Sequence, residues 1–578
     1  MKKIAMRTVK GVAGLLPKSL KNHLKKNAKL TELYSTGIRK SGLFYGVPSK
    51  KVQKRQYQRF LARQELDVSA LLSREPLSTL NCNIIFVGGN TLNIEKSLSS
   101  LKQAAVHAES LVLIAPDNDN ISGVNTVDSL SSALSQLDST KPVLLVRCGD
   151  TFHSGFGALY QRQVDHADVV YCDTDSVDKH GKYVDPCFLP DWNPDLQLST
   201  GYIRTGVLCS KLLLDGLMTS RCNSISALIA YIAIENPEVT FKHLPYTVLH
   251  SETSQQLAID ALAINDMQKV VGKDIESSEV QGEVNRCLWS TSDKPLVSLI
   301  IPTKDGRELV KACIESIIDK STYLNYEILL IDNGSTEVES LEYFEFLKTQ
   351  PKIRVLNYPG PFNYSAINNF GVKHAKGDVI GLINNDIEVI SPRWLDYMVG
   401  HALRKDIGCV GAKLLYSDGR IQHAGVVLGY GGGAGHAHKY FPRYHPGYLN
   451  RLAATQNYSA VTAACLLVRK SLFEEVGGLN EKDLAVAFND VDFCLRIREL
   501  GKRNVYCAEA ELFHHESVSR GLDIAPEKAA RFNRELAYLQ NRWANVIAHD
   551  PAYSPNLTLR SENFAIKEER EYISSSDS

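Results

Sequence analysis

Three consecutive polar residues, Asn384, Asn385 and Asp386, stand where a short apolar run ends abruptly. The run before them, residues 379–383, has the length and composition of a strand buried on both faces. In open α/β sheets ligands bind beyond the carboxyl ends of the strands, and a carboxylate beside amides offers the oxygen ligands that Mg²⁺ or Mn²⁺ prefers. The triplet therefore predicts a metal site, although a polar turn before a helix capped by Ser391 would have the same composition.

Two further apolar runs in this region also end in acids. Residues 296–303 precede Asp305, and residues 326–331 precede Asp332. Helix-length segments separate the runs, which predicts short right-handed crossovers and a doubly wound sheet with the three aspartates at one edge. Carboxylates gathered in one crevice repel each other unless a cation or hydrogen-bond donors lie there. No Gly-x-Gly-x-x-Gly follows these runs, which argues against a dinucleotide dehydrogenase.

Length and composition indicate a large globular protein with about two to four domains. The chain has 578 residues, of which 44% are hydrophobic and 22% are charged, with 65 basic and 65 acidic side chains. This balance points to no nucleic-acid partner. No run reaches the ~18 apolar residues of a spanning helix, and the twelve cysteines form no Cys-x-x-Cys pair, so we expect a cytoplasmic protein with reduced thiols.

Charge is unevenly distributed along the chain. Residues 1–63 contain 17 lysines and arginines against one acid, Glu32. Such a basic amphipathic arm could make peripheral contact with the inner membrane surface, or it could be a solvated tail, and both interpretations stay open.

Alternation of strands and helices begins near residue 80. The apolar runs at 83–89, 110–116 and 141–147 predict a first α/β unit, and a plausible helix at 256–271 lies in the polar stretch after it. The predicted organisation is a basic arm, a first α/β unit, a linker, a second α/β unit, and a C-terminal helix with a polar disordered end after about residue 563. Their predicted bounds are 1–79, 80–250, 251–294, 295–525 and 526–578.

An ordered set of sequence blocks carries a family resemblance. The blocks are VSLIIPTKD, EILLIDNGST, GDVIGLINND, SAVTAACLLVRKSLFEEVGGLNE, AFNDVDFCLRIRELG and ELFHHESVSRG, between about residues 296 and 525. Together they resemble the family-2 glycosyltransferases, and in particular bacterial O-antigen and cell-surface polysaccharide enzymes, including rhamnosyltransferases. The resemblance implies the GT-A fold, an α/β architecture with a doubly wound, mostly parallel sheet, and inverting transfer of a sugar from a nucleotide-sugar donor.

The resemblance also implies roles for individual residues. Those expected to bind the nucleotide-sugar are Thr303, Asp305, Asp332, Asn384 and Asn385. The stretch 384–386 matches an Asp-x-Asp metal motif whose first acid is here Asn384, so Asp386 alone supplies a carboxylate for Mn²⁺ or Mg²⁺. That departure is expected to weaken metal binding, because fewer anionic ligands face the cation.

A catalytic base and a metal-binding histidine are implied in the same way. Asn489 and Asp490 match an acidic pair whose second member is the general base, so Asp490 is the predicted base and Asp492 the second choice. His514 and His515 match a histidine near the diphosphate or metal; either could face the site, and His515 is taken as the metal ligand with Asp386.

Three histidines are left outside the metal site. His423, His436 and His438 lie in residues 416–459, where the resemblance places acceptor loops, and they are read as surface residues.

The first unit reads as a diverged copy of the second. Residues 141–160 parallel 377–398, with Asp150 in the place of Asp386, but no Asn-Asp-x-Asp block precedes residue 250. The prediction is two tandem GT-A-like units of which the first has lost or reduced its donor site.

The predicted function is transfer of a hexosyl or deoxyhexosyl group to a glycan or lipid-linked glycan acceptor in cell-surface polysaccharide biosynthesis. The alternative is a non-catalytic glycan-binding or scaffolding protein, motivated by Asn384 and Asn489 in place of acids. A nucleotidyltransferase is disfavoured, because no glycine-rich phosphate loop follows the first strand of the second unit.

Overall fold

The computed structural model describes residues 46–73, 78–88, 91–114, 124–137, 140–215, 222, 224–236, 238–251, 274–281, 283–291, 293–515 and 526–573. Most of the predicted basic arm and the predicted helix at 256–271 lie outside these residues. In the part of the chain that is described, no helix is both long and apolar enough to cross a membrane.

The first unit is built on a sheet of nine strands that runs in the order β3-β2-β1-β4-β8-β6-β9-β5, with β7 beside β6. Alternate residues of its first strand enter two separate apolar clusters, Ile85 in one and Ile84 and Phe86 in the other, so the sheet is buried on both faces. The strands are β1 (Leu80–Val87), β2 (Val106–Ile114), β3 (Asn125–Val127), β4 (Val143–Arg147), β5 (Thr151–Phe152), β6 (Val169–Val177), β7 (Tyr183–Cys187), β8 (Val207–Cys209) and β9 (Phe241–Ser251).

Helices connect these strands, and one long helix precedes them. Asn193 begins the fifth helix by accepting a hydrogen bond from the backbone of Leu196, and a proline at the first position fixes the backbone for the turn. The helices are α1 (Lys50–Ser73), α2 (Thr91–Gln103), α3 (Leu130–Ser135), α4 (Phe156–Gln161), α5 (Pro194–Thr200), α6 (Lys211–Asp215) and α7 (Ile225–Glu235).

The predicted linker contains a β-hairpin that contacts both units. Its strands are β10 (Ile275–Gln281) and β11 (Val284–Trp289). The side-chain amide of Asn285 donates to the carbonyl of Leu198 in the first unit over 3.2 Å. The ring of Trp289 lies 4.1 Å from the guanidinium of Arg404 in the second unit.

The second unit repeats the plan of the first. Its sheet of ten strands runs in the order β14-β13-β12-β15-β22-β17-β23-β16, with β18 beside β17 and β21 beside β23, and β19 and β20 form a separate hairpin. The strands are β12 (Val297–Thr303), β13 (Tyr326–Asp332), β14 (Ile353–Asn357), β15 (Val379–Ile383), β16 (Ile387–Val389), β17 (Ile407–Leu415), β18 (Ile421–His423), β19 (Val426–Leu428), β20 (Ala434–His436), β21 (Gln456–Tyr458), β22 (Cys465–Arg469) and β23 (Arg503–His514).

The helices of the second unit follow the predicted alternation. They are α8 (Arg307–Lys320), α9 (Val338–Leu347), α10 (Tyr364–His374), α11 (Trp394–Leu403), α12 (Lys470–Glu475) and α13 (Asn489–Glu499). The chain then continues into α14 (Pro526–Arg542), α15 (Ala544–Ala548) and α16 (Glu569–Ile573).

The two sheets have the same strand order. Position by position, β3, β2, β1, β4, β8, β6, β9 and β5 correspond to β14, β13, β12, β15, β22, β17, β23 and β16. The directions also agree, since β8 and β22 are each antiparallel to both of their neighbours. The predicted fold class, α/β with two tandem GT-A-like units, is confirmed.

A seam of buried polar residues joins the units. The side-chain amide of Asn193 donates to the backbone carbonyl of Asn457 over 2.8 Å, and its side-chain oxygen accepts from the backbone N–H of Asn457 over 2.9 Å. The side chain of Asn457 donates to Asp195 over 2.7 Å, and Asp195 also forms an ion pair with Arg404. Because these groups are buried, each depends on its partner in the other unit for its hydrogen bonds. The two units therefore form one continuous structure here.

The C-terminal segment corrects one prediction. The polar stretch after residue 563 was expected to be disordered, but Phe564 and Ile566 are buried in the described part, at 3% and 8% exposure. The ring of Phe564 stacks on His438 at 4.1 Å between centroids. These two buried apolar side chains hold the polar segment against the second unit. The polar composition of the segment as a whole does not indicate this packing.

Candidate active site

A cavity of about 190 Å³ opens at the carboxyl end of β15 in the second unit. Residues from several separate elements meet there, as the doubly wound sheet predicts for the crevice beyond its strand ends. The lining residues are Tyr364, Asn384, Gln422, His436, Thr462, Ala463, Ala464, Val486, Phe488, Asn489, Asp490 and His514. Of the predicted site residues, Asn384 and Asp490 line this cavity directly.

The triplet after β15 is held by its neighbours. The backbone of Asn384 donates to Ala464 over 2.9 Å, and its side-chain oxygen accepts from the hydroxyl of Tyr364 over 3.2 Å. The side-chain amide of Asn385 donates to the Thr303 hydroxyl over 3.0 Å. Thr303 is thus placed beside the predicted metal loop.

The structure assigns His514 rather than His515 to this loop. Nε2 of His514 lies 3.1 Å from Oδ1 of Asp386. His515 instead places Nδ1 2.7 Å from Ser417 and Nε2 3.2 Å from Glu388. His514 therefore replaces His515 as the proposed metal ligand. The reason is the strand period, since successive side chains at the end of β23 point to opposite faces.

His514 and Asp386 fit a divalent cation. Nδ1 of His514 lies 2.8 Å from the side-chain oxygen of Gln422, which can only accept, so Nδ1 carries a proton. In the neutral ring Nε2 presents a lone pair beside the Asp386 carboxylate, and the Asn384 amide lies 3.1 Å from the same nitrogen. Adjacent ligands of an octahedral cation are roughly 3 Å apart when each bond is ~2.1 Å.

Protein groups alone do not complete such a site. Within the described ranges no group of three or more histidine, cysteine, aspartate or glutamate residues could hold a metal ion. One carboxylate and one imidazole leave coordination positions for water and substrate phosphates, which is the usual arrangement for Mg²⁺ in phosphate-transfer sites. The donor set therefore fits a cation shared with a diphosphate.

Asp490 lies on another wall of the cavity, in the first turn of α13. Its carboxylate accepts hydrogen bonds from the backbone of Ala463 over 3.0 Å and of Val491 over 2.9 Å. Burial of the carboxylate raises the pKa of Asp490, and these hydrogen bonds oppose the shift only in part. A half-buried carboxylate with a raised pKa in a polar cavity is equipped to accept a proton.

Asp492, the second choice for the base, has a structural role. It is fully buried, and its two oxygens are taken by Arg496 Nε over 2.8 Å and by Trp543 Nε1 over 3.0 Å. Trp543 directly follows α14, so Asp492 ties α14 to α13.

The C-terminal helix also supports the loop in front of Asp490. The carboxylate of Glu535 accepts from the backbone of Val486 over 3.1 Å and of Ala487 over 2.8 Å. Phe488 then adopts a left-handed backbone with a φ of 60°, which is strained for a side chain of this size. This bend starts α13 with Asn489 and Asp490 on the cavity wall.

Asp305 and Asp332 organise a neighbouring loop rather than the cavity itself. Asp305 accepts backbone hydrogen bonds from Thr336 over 2.7 Å and Glu337 over 2.9 Å. Asp332 accepts from the backbone and the hydroxyl of Ser335 over 2.8 and 2.6 Å. Their assignment to the nucleotide stays a prediction.

The three histidines predicted to lie on the surface are not surface residues. His423 and His438 are fully buried, and His436 lines the cavity. Together with Tyr364 and Gln422, His436 was missed as a site residue. The sequence of the glycine-rich segment 429–438 does not predict that His436 lines the cavity, because the hairpin in this segment is placed by contacts with residues far away in the chain.

Among its described residues, the first unit forms no equivalent site. Thr151 pairs with His250 as Ile387 pairs with His514, so Asp150 and His250 occupy the corresponding positions. Asp150, however, is satisfied by the hydroxyls of Thr205 and Ser251, and His250 turns to Asp175 over 2.6 Å. The residues at the start of α7, where an equivalent of Asp490 would lie, are Ser224, Ile225 and Ser226, which include no acid.

Comparisons with known proteins identify a family for part of the chain. Residues 298–477 match the model of glycosyl transferase family 2. The chain is 42% identical over 429 residues to an uncharacterized protein of Sinorhizobium fredii and 32% identical over 418 residues to the O-antigen biosynthesis protein RfbC of Myxococcus xanthus. These alignments cover 71% and 69% of the chain, but 47% and 32% of the relatives, so the chain spans less than half their length.

A shorter match is to the N-acetylglucosaminyl-diphospho-decaprenol L-rhamnosyltransferase of Mycobacterium tuberculosis, 37% identical over 82 residues, or 14% of the chain and 26% of the relative. Fold and family model together define a glycosyltransferase unit. The second unit thus contains a glycosyl transferase family 2 domain.

Proposed function

We propose that the second unit transfers a hexosyl or deoxyhexosyl group from a nucleotide-sugar to a glycan or lipid-linked glycan acceptor, with inversion, during assembly of a cell-surface polysaccharide. The observation that carries this proposal is Asp490, a carboxylate of raised pKa on the wall of a polar cavity that also holds Asn384 and His514. The similarity to the O-antigen protein supports the acceptor class, and the similarity to the rhamnosyltransferase supports a deoxyhexose.

In the proposed mechanism Asp490 takes the proton of the acceptor hydroxyl as that oxygen attacks the sugar carbon. Base assistance of this kind contributes ~10²- to 10⁴-fold. Asp386 and His514 would hold a divalent cation, which would supply Lewis-acid stabilisation of the charge on the leaving group. Attack and departure occur on opposite sides of the sugar carbon, so a single displacement inverts its configuration.

The first unit has a different proposed role. It lacks the acid at the start of α7, and its Asp150 is occupied by internal hydrogen bonds. The polar seam joins it to Thr455 and to Asn457 of β21 in the second unit. These observations favour a bracing or glycan-binding function for the first unit. The non-catalytic alternative is therefore proposed for the first unit only.

Nucleotide binding tests the proposal. In a thermal-shift screen of UDP, dTDP, GDP, CMP and their sugars with and without Mn²⁺ or Mg²⁺, we expect one nucleotide class to stabilise the protein only when metal is present. A ligand at 100 times its dissociation constant stabilises by ~2.7 kcal/mol, which is measurable as a shift in Tm. No shift with any nucleotide would overturn the enzymatic proposal.

The two adjacent histidines provide a matched pair of variants. We expect His514→Ala to weaken the metal-dependent nucleotide shift by about ten-fold in apparent affinity or more, because it removes an imidazole ligand beside Asp386. His515→Ala should leave it unchanged, since His515 contacts Ser417 and Glu388. Equal losses in both variants, or a loss in His515→Ala alone, would contradict the assignment.

A further inference from the structure

Two histidines of the second unit form a buried pair beside the cavity. Nδ1 of His423 lies 2.8 Å from Nδ1 of His436, and the rings meet edge to face. His423 is the last residue of β18 and is fully buried, whereas His436 ends β20 and lines the cavity with Asp490. Neither histidine has a part in the mechanism described above.

Hydrogen bonding fixes the protons of this pair. Nε2 of His423 lies 3.3 Å from the backbone N–H of Gly425 and 3.5 Å from that of Thr462, so it accepts. The ring proton of His423 is therefore on Nδ1 and is donated to Nδ1 of His436. His436 must then carry its own proton on Nε2.

The environment keeps both rings neutral. Burial, with a contribution from His514, lowers the pKa of His423 to about 3. Burial and the neighbouring His423 and Lys439 hold the pKa of His436 well below its ordinary value. A neutral His436 with Nδ1 occupied is a donor at Nε2 only, and no described residue pairs with that nitrogen.

We propose that His436 binds the acceptor: its Nε2–H donates to an oxygen of the acceptor sugar beside the hydroxyl that Asp490 deprotonates. The inference rests on the proposed function and adds a residue that orients the nucleophile. His436 enters the cavity from the β19–β20 hairpin, and neither Asp305 nor Asp332 lines that cavity. A donor and a base that line the same cavity complement a sugar diol, whose oxygens both accept and donate.

Kinetics of two variants test the proposal. His436→Phe removes the donor, whereas His436→Gln keeps an N–H at similar reach. Transfer is measured from the nucleotide-sugar that gives the metal-dependent shift, with the methyl glycosides of rhamnose, mannose, glucose, galactose and N-acetylglucosamine as acceptors. Release of nucleoside diphosphate without acceptor measures hydrolysis of the donor. His374→Gln, an exposed histidine of α10, is the control.

We expect His436→Phe to raise KM for the acceptor about ten-fold, with the rate of donor hydrolysis and the Tm shift by nucleotide unchanged. His436→Gln should recover most of the acceptor affinity, and His374→Gln should match the wild type. Parallel loss of hydrolysis and transfer would place His436 on the donor instead, and unchanged acceptor KM in His436→Phe would remove it from the site; either result overturns the inference. A wild-type protein that neither binds nor hydrolyses any nucleotide-sugar would overturn the proposed function and this inference together.

Discussion

Asp490→Asn is expected to lower kcat for sugar transfer by ~10²- to 10⁴-fold, because the amide cannot take the proton of the acceptor hydroxyl. The variant is nearly isosteric, and its oxygen can still accept the hydrogen bond of 3.0 Å from Ala463. Donor binding, measured by the metal-dependent Tm shift, should therefore be nearly unchanged. This separation of turnover from binding is the signature of a group that acts in the transition state.

Asp483→Asn is a matched control for this variant, since Asp483 is an exposed acid in the loop before α13. It should retain full activity. Transfer by Asp490→Asn at the wild-type rate would remove Asp490 from the role of base.

The pH profile gives a second test of Asp490. The base must be deprotonated to act, and burial raises the pKa of Asp490. Transfer should therefore decline on the acid side at a pH above the ordinary aspartate pKa of ~3.9. A profile of kcat/KM against pH checks this expectation, and an acid limb at or below the ordinary value would contradict a raised pKa at the base.

Arg404→Ala is expected to destabilise the protein by ~3–5 kcal/mol, because it leaves the buried carboxylate of Asp195 without its cation. Burial alone would raise the pKa of Asp195, but Arg404 and Arg503 hold it well below its ordinary value. A depressed folded-state pKa means that this stabilisation is present at neutral pH. This stabilisation is lost only as the pH falls below the pKa of Asp195 in the unfolded chain and approaches its pKa in the folded protein.

Calorimetry would measure the loss, with Arg307→Ala as the control because Arg307 makes only exposed ion pairs worth ~0–1 kcal/mol. The double variant Asp195→Asn with Arg404→Ala should recover part of the stability, since it removes the uncompensated charge. A Tm for Arg404→Ala equal to that of the control would show that the seam does not couple the units.

Most of the fold could be predicted from the sequence, because the local sequence patterns agree with the tertiary structure. The buried strand at residues 379–383 was predicted from five apolar or small residues, and the structure places all five at the centre of the second sheet. The duplication was visible in the intervals around Asp150 and Asp386, and the matching strand order bears it out. Such patterns are local in sequence and follow from burial on both faces of a sheet.

Only part of the candidate site could be predicted from the sequence. Asn384 and Asp490 were predicted and do line one cavity, because each sits at the end or the beginning of a regular element. Tyr364, Gln422 and His436 were missed. They reach the cavity from a helix and two short strands whose positions are set by contacts between residues far apart in the chain.

By itself the sequence determined the alternation of strands and helices, the carboxylates at strand ends and the acid at the start of α13, since these depend on periodicity and chain order. Only the tertiary structure decided between His514 and His515, because the strand period turns one ring toward Asp386 and the other toward Glu388. It also decided that His423 and His436 pair and that Asp195 meets Arg404, because a hydrogen bond between distant residues depends on how the sheets pack.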